Sequence, residues 1–172
     1  MDLSNQILQL KNLILQRWLS QDVFSLQWWF LFATLVFGYI VWIKLLDKRR
    51  IMEIVLFGSF IAVTNVTIDI VAVLYGLWAY NFSLFPITPS LFPFDFSIIP
   101  VMFMLAYQYF TPWKKFFWGT ALVVALFSFI FLPILKYLDI VTLQKWNLIY
   151  SFILRYSEII IARAAIGFIK RI

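Results

Sequence analysis

Five long apolar runs, separated by short charged or proline-containing breaks, dominate the order of residues along this chain. They extend from Trp28 to Leu46, Met52 to Tyr80, Ser97 to Pro112, Phe116 to Leu135 and Leu148 to Ile169. A helix rises ~1.5 Å per residue, so ~20 apolar residues cross a hydrocarbon core, and each run approaches that length. The third is the shortest and needs residues from Pro93 to Phe96 or from Thr111 to Trp113 to complete a crossing. Asp47, Lys48, Arg49 and Arg50 close the first run, Pro112 and Lys114 the third, and Lys170 and Arg171 the fifth. The pattern predicts an all-α integral membrane bundle of five transmembrane helices, at approximately 28–46, 52–80, 97–112, 116–135 and 148–169.

Ahead of the first run, Leu3, Ile7, Leu10, Ile14 and Trp18 recur at helical spacing, while Asn5, Gln9, Asn12 and Gln16 fall elsewhere on the wheel. Residues 1–24 thus read as an amphipathic helix lying in the membrane interface, and residues 25–172 as one bundle. A plain lead-in to the first span is the alternative, because Leu8, Leu13 and Leu15 blur the apolar face. Asp2 at the start, the interrupting polar residues and the lack of a small-x-small site argue against a cleaved signal, so this helix is expected in the mature protein.

From Asn81 to Phe96, Pro86, Pro89 and Pro93 are interspersed with Leu84, Phe85, Leu91, Phe92, Phe94 and Phe96. Proline prevents a regular helix there and the segment is too apolar for water, so it should lie in the outer interface or fold back as a cap. Asp95 or Ser97 could cap the third helix, and Asn81-Phe82-Ser83 fits the short glycosylation triplet. No internal repeat, low-complexity linker or coiled-coil heptad is visible in the sequence.

Two helical stripes of small and polar residues break the apolar pattern. Gly58, Ala62, Asn65, Asp69, Ala72, Gly76 and Tyr80 recur every three or four positions in the second run; Gln144, Asn147, Ser151, Arg155, Glu158, Ala162 and Ala165 do so around the fifth. Small residues permit close helix approach, and ionisable groups in lipid need a partner or a function. At ~1.5 Å per residue, Asp69 and Arg155 both lie about 10 Å from the outer ends of their helices, which predicts an Asp69–Arg155 ion pair with Glu158 one turn deeper, near Asn65. On that pairing, Asp69→Leu reduces accumulation and a second change at Arg155 partly restores it. Tyr107 and Gln108 belong either to this centre or to the headgroup level, and Glu53 reads as an interface residue beside the basic turn.

Composition agrees with this placement. Hydrophobic residues make up 64% of the chain and charged residues 13%, with mean hydropathy +0.93, which a soluble domain could hardly sustain. Cysteine and histidine are absent, which excludes disulfides, thiol and histidine catalysis and the usual zinc, haem and iron–sulfur ligation; no cofactor or metal is expected. The net charge of +6 sits at run ends, so membrane lipids rather than nucleic acid are the expected partners. With five crossings, eight of the 14 basic residues (Lys44, Lys48, Arg49, Arg50, Lys114, Lys115, Lys170 and Arg171) share one side. The positive-inside rule makes that side cytoplasmic and leaves the N-terminus outside.

The sequence Ile68-Asp69, then Gly76-Leu77-Trp78-Ala79-Tyr80-Asn81, a proline-containing loop and Met104 to Phe110 resembles a family of uncharacterised small bacterial multi-pass membrane proteins. That resemblance implies a five-helix protein of the bacterial plasma membrane. More distantly, an Asp ahead of a Gly-x-Trp helix end is similar to the lycopene-cyclase domain, although Pro93-Phe94-Asp95-Phe96 offers a single Asp95 where that domain carries paired glutamates.

The function these patterns favour is binding of a lipid-like ligand, a membrane-protein partner or a second copy of the chain through a polar centre of Asn65, Asp69, Asp95, Ser151, Arg155 and Glu158. Behind it stand an isoprenoid or carotenoid enzyme acting through Asp69, Asp95 and Glu158, and a small transporter coupled to protons or ions. The pattern assigns no catalytic residue.

Overall fold

The computed structural model describes residues 2–86, 91 and 94–170. Helix α1 (Leu3–Arg17) continues through a π turn at Trp18–Asp22 and has no buried residue. Its end is fastened to the loop after the third helix: Arg17 donates to the Asn81 carbonyl (2.6 Å), Trp18 to the Ser83 carbonyl (3.2 Å), and Ser83 N–H to Asp22 (3.1 Å). Helix α2 (Leu26–Leu45) begins where Ser25 caps the Trp28 N–H at 3.1 Å, and it buries Leu31 alone. Helix α3 (Ile51–Leu74) is the core element, with Gly58, Ala62, Asn65, Asp69 and Ala72 all buried along the predicted stripe. Close approach explains the glycine, because a Cβ at Gly58 would lie 2.7 Å from Met104 Cγ.

Two helix ends near the polar centre are built alike. At the end of α3, Gly76 takes φ +65°, Leu77 N–H returns to Ala72 C=O (2.9 Å) and Gly76 N–H to Val73 C=O (3.0 Å). After α5 (Trp113–Leu126), a π turn at Phe127–Phe131 and α6 (Leu132–Tyr137), Asp139 takes φ 55°, with Ile140 N–H on Leu135 C=O (2.9 Å) and Asp139 N–H on Lys136 C=O (3.0 Å). Each turn feeds a short strand, β1 (Trp78–Tyr80) and β2 (Val141–Leu143), which pair antiparallel with Ala79 opposite Thr142. The helix predicted over 52–80 therefore stops at Leu74, and Trp78 to Tyr80 leave it as a strand.

Between the two ends, a π turn at Phe94–Ile98 leads into α4 (Ile99–Tyr109), and α7 (Leu148–Ile169) starts where Asn147 caps the Tyr150 N–H at 2.9 Å. The π turns before α4 and α6 are each followed by a proline in the first helical turn, Pro100 and Pro133, whose missing N–H removes a backbone bond from the ladder. Apolar packing forms two clusters. Ile54, Phe57, Phe103, Phe116 and Ile159 belong to the larger one, and Leu31, Trp78, Leu84, Leu91, Phe94 and Ile140 gather around the strand ribbon.

The expectation of five transmembrane helices needs correcting. Among the described residues three helices are long and apolar enough to cross a membrane: Leu26–Leu45, Lys48–Leu74 and Trp113–Tyr137. The third predicted span is a five-residue π turn followed by an 11-residue helix, too short even when joined. The fifth, α7, has the length at 22 residues but carries Arg155, Glu158 and Arg163. The chain is a multi-span membrane protein with an all-α bundle, and α4 and α7 fill the bundle beside the long apolar helices.

Of the proline-rich segment, residues 87–90, 92 and 93 lie outside the described residues. Leu84, Leu91 and Phe94 are buried in the ribbon-end cluster, so those parts pack onto the bundle. The residue at the cap position of α4 is Ile98, which supplies no side-chain cap, and Asp95 is buried in the π turn ahead of it.

Candidate functional site

Asp69 lies a turn and a half before the end of α3, completely buried, facing the strand ribbon. Its Oδ1 accepts from Trp78 Nε1 (2.8 Å) and the Tyr80 hydroxyl (2.6 Å), and Oδ2 from the Leu91 N–H (3.2 Å). One carboxylate thus ties α3 to β1 and to the segment after it. Trp78 and Tyr80, at the end of the second apolar run, turn inward because the ribbon reverses the chain over the helix end. Burial and the Asp69 charge hold the Tyr80 phenol well above its ordinary value, so it remains a donor.

The predicted Asp69–Arg155 ion pair does not form. Arg155 Nη1 instead reaches Glu158 Oε2 on its own helix at 3.2 Å, with both side chains buried. Glu158 Oε1 accepts from the Thr64 hydroxyl, which joins α7 to α3 at the level where Glu158 was placed by depth, although Thr64 rather than Asn65 is the partner. Asn65 Nδ2 donates to Asp95 Oδ1 at 2.8 Å. Among the described residues no donor reaches the buried Asp95 Oδ2. Burial first, then the nearby Asp69 carboxylate, pushes the Asp95 carboxyl well above the usual carboxylate range. Ser151 accepts from Trp146 Nε1 at 2.9 Å.

Asp95, Ser151 and Arg155 line a cavity of about 60 Å³ whose other walls are Trp78, Tyr80, Phe94, Phe127, Leu135, Leu154 and neighbouring apolar residues. Among the described residues the remaining Arg155 N–H groups have no protein acceptor. Of the six predicted site residues, Asn65 bonds Asp95, Arg155 bonds Glu158, and Asp95, Ser151 and Arg155 share the cavity wall. Glu53, Tyr107 and Gln108 lie at the other end of the bundle: the Tyr107 hydroxyl donates to Glu53, and Gln108 bonds Asp47 N–H (2.9 Å) and Leu45 C=O (2.7 Å). Among the described residues no three carboxylates group as a metal site.

Comparisons with protein-family models, with curated proteins and with solved structures find no match. The resemblance to a five-helix bacterial family is overturned on the helices: three, rather than five, have the length and apolar character of spans. The more distant likeness to the lycopene-cyclase domain has no support from any family either. What the chain does must be argued from its own polar centre.

Proposed function

We propose that the chain is a plasma-membrane component that holds one end of a lipid-like ligand in the ribbon-end cavity. The observation that carries this is the wall composition: an aromatic and aliphatic cavity with Arg155, Asp95 and Ser151 in its lining. Apolar walls take a hydrocarbon or isoprenoid segment, and the unused guanidinium donors fix an oxygen-bearing group. At about 60 Å³ the cavity admits only part of such a molecule, the rest reaching the bilayer. The ribbon end faces outward and the basic end the cytoplasm, with α1 on the outer interface. This orientation rests on Lys48, Arg49, Arg50, Lys114 and Lys115 sharing one end.

A second reading, proton donation to an apolar substrate or proton coupling, is favoured by Asp95, which lines the cavity and whose buried Oδ2 has no donor among the described residues. One experiment separates the two. Gentle extraction from native membranes followed by mass spectrometry should show a discrete lipid species on the wild type, lost at least about tenfold in Leu154→Trp, which fills the cavity. In Asp95→Asn the same species is retained under the binding reading, whereas a different, unconverted species accumulates if Asp95 donates protons. A wild type carrying only bulk lipid, or a co-purifying protein alone, would exclude the cavity as a lipid site.

A further inference from the structure

The basic end carries a second constellation. Arg50 from the start of α3, Arg163 and Lys170 from the end of α7, and Tyr107 and Trp113 surround a cavity of about 380 Å³. Among the described residues Glu53 is the one carboxylate lining it, bonded to Arg50 (3.1 Å) and Lys170 (2.7 Å) as well as to Tyr107. Among the described residues three cations face one acid there, an excess of two positive charges. Arg163 has no carboxylate partner among the described residues: it donates to the Phe110 carbonyl (2.8 Å) and the Thr111 carbonyl, and its guanidinium lies over Phe116 (4.1 Å) and Trp113 (4.6 Å). Those contacts hold the planar group in place and leave N–H donors unused.

Trp113 also belongs to the wall of a separate groove of about 570 Å³ that runs between α5 and α7 along Phe117, Trp118, Ala121, Phe152 and Tyr156. Every residue along the groove beyond Trp113 and Lys114 is apolar, alanine or tyrosine, and Trp118 is 75% exposed. A cationic recess thus opens beside an apolar channel, at the start of one membrane-crossing helix and beside the start of another.

We propose that this end binds one anionic phospholipid, its phosphate held by Arg163, Lys170 and Arg50 and an acyl chain laid along the α5–α7 groove. The excess charge selects an anion, the guanidinium fork suits a phosphate, and the adjoining apolar channel selects a lipid over a soluble phosphate.

The test reconstitutes the chain in bilayers of equal phosphatidylglycerol and phosphatidylcholine and counts the lipids retained by native mass spectrometry. The wild type should retain phosphatidylglycerol over phosphatidylcholine by at least about tenfold, and Lys170→Gln and Arg163→Gln should each cut that ratio about fivefold. Ala121→Trp, which obstructs the channel and leaves the cations in place, should lower retention of phosphatidylglycerol as well. Lys170 is exposed, so Lys170→Gln reads the site even where Arg163→Gln fails to accumulate. Equal retention of the two lipids by the wild type, an unchanged ratio in Lys170→Gln, or displacement of the lipid by millimolar inorganic phosphate would each overturn the proposal.

Discussion

Asp69→Leu is expected to lower stability by about 3–9 kcal/mol, because it strands three donors at once: Trp78 Nε1, the Tyr80 hydroxyl and the Leu91 N–H. Each buried donor without an acceptor costs roughly 1–3 kcal/mol, and the Asp69 side chain is completely buried. The damage should be directional. Losing these bonds frees β1 and the segment around Leu91 from α3, so the ribbon end opens before the basic end does. Asp69→Asn keeps one oxygen for Trp78 and Tyr80 but turns an amide toward the Leu91 N–H, and should fall between wild type and Asp69→Leu. Thermal unfolding in mild detergent checks the order, and an Asp69→Leu chain that melts with the wild type would show that the carboxylate holds nothing.

The second large effect concerns Arg155 and Glu158. Replacing either by leucine leaves the other charge buried, at a cost of about 3–5 kcal/mol, whereas Arg155→Leu with Glu158→Leu removes both charges and should recover at least ~2 kcal/mol of the summed losses. Asp69→Leu with Arg155→Leu should show no such recovery, because Asp69 is satisfied by uncharged donors. The pattern across the two double-mutant cycles is diagnostic. Coupling in the Asp69 and Arg155 cycle, with none between Arg155 and Glu158, would restore the pairing inferred from depth and refute the observed one.

That contrast shows how far the sequence could be read. The two stripes were legible because the three-to-four residue period puts Gly58, Ala62, Asn65, Asp69 and Ala72 on one helix face, and that face is buried. Depth along a helix places two groups on one level but says nothing of which neighbour satisfies them, so Asp69 and Arg155 looked like partners. The i,i+3 spacing of Arg155 and Glu158 was itself a signal for a pair within the helix.

Other features left weaker traces. Gly76, four residues before Tyr80, marks the left-handed turn that ends α3, but the three-residue strand after it is too short to show a period and read as more helix. Asp139 makes the matching turn without a glycine, so the likeness of the two helix ends is invisible in the sequence. Asp95 reaches Asn65 from 30 positions away, a contact that depends on how the proline-containing segment folds back. The count of spans failed for a simpler reason: apolar composition was read as crossing, while α4 is short and α7 carries three charges.

The central claim is that the ribbon-end cavity is a ligand site rather than a packing defect, and photocrosslinking from inside it is the most direct measurement. A photoreactive amino acid in place of Leu154, on the cavity wall, is compared in native membranes with one in place of Ile153, which is 55% exposed on the outside of the same helix. The account predicts that position 154 captures one discrete molecular species while position 153 captures lipids in the proportions of the membrane. Capture of the same mixture at both positions, or of nothing at position 154, would contradict it.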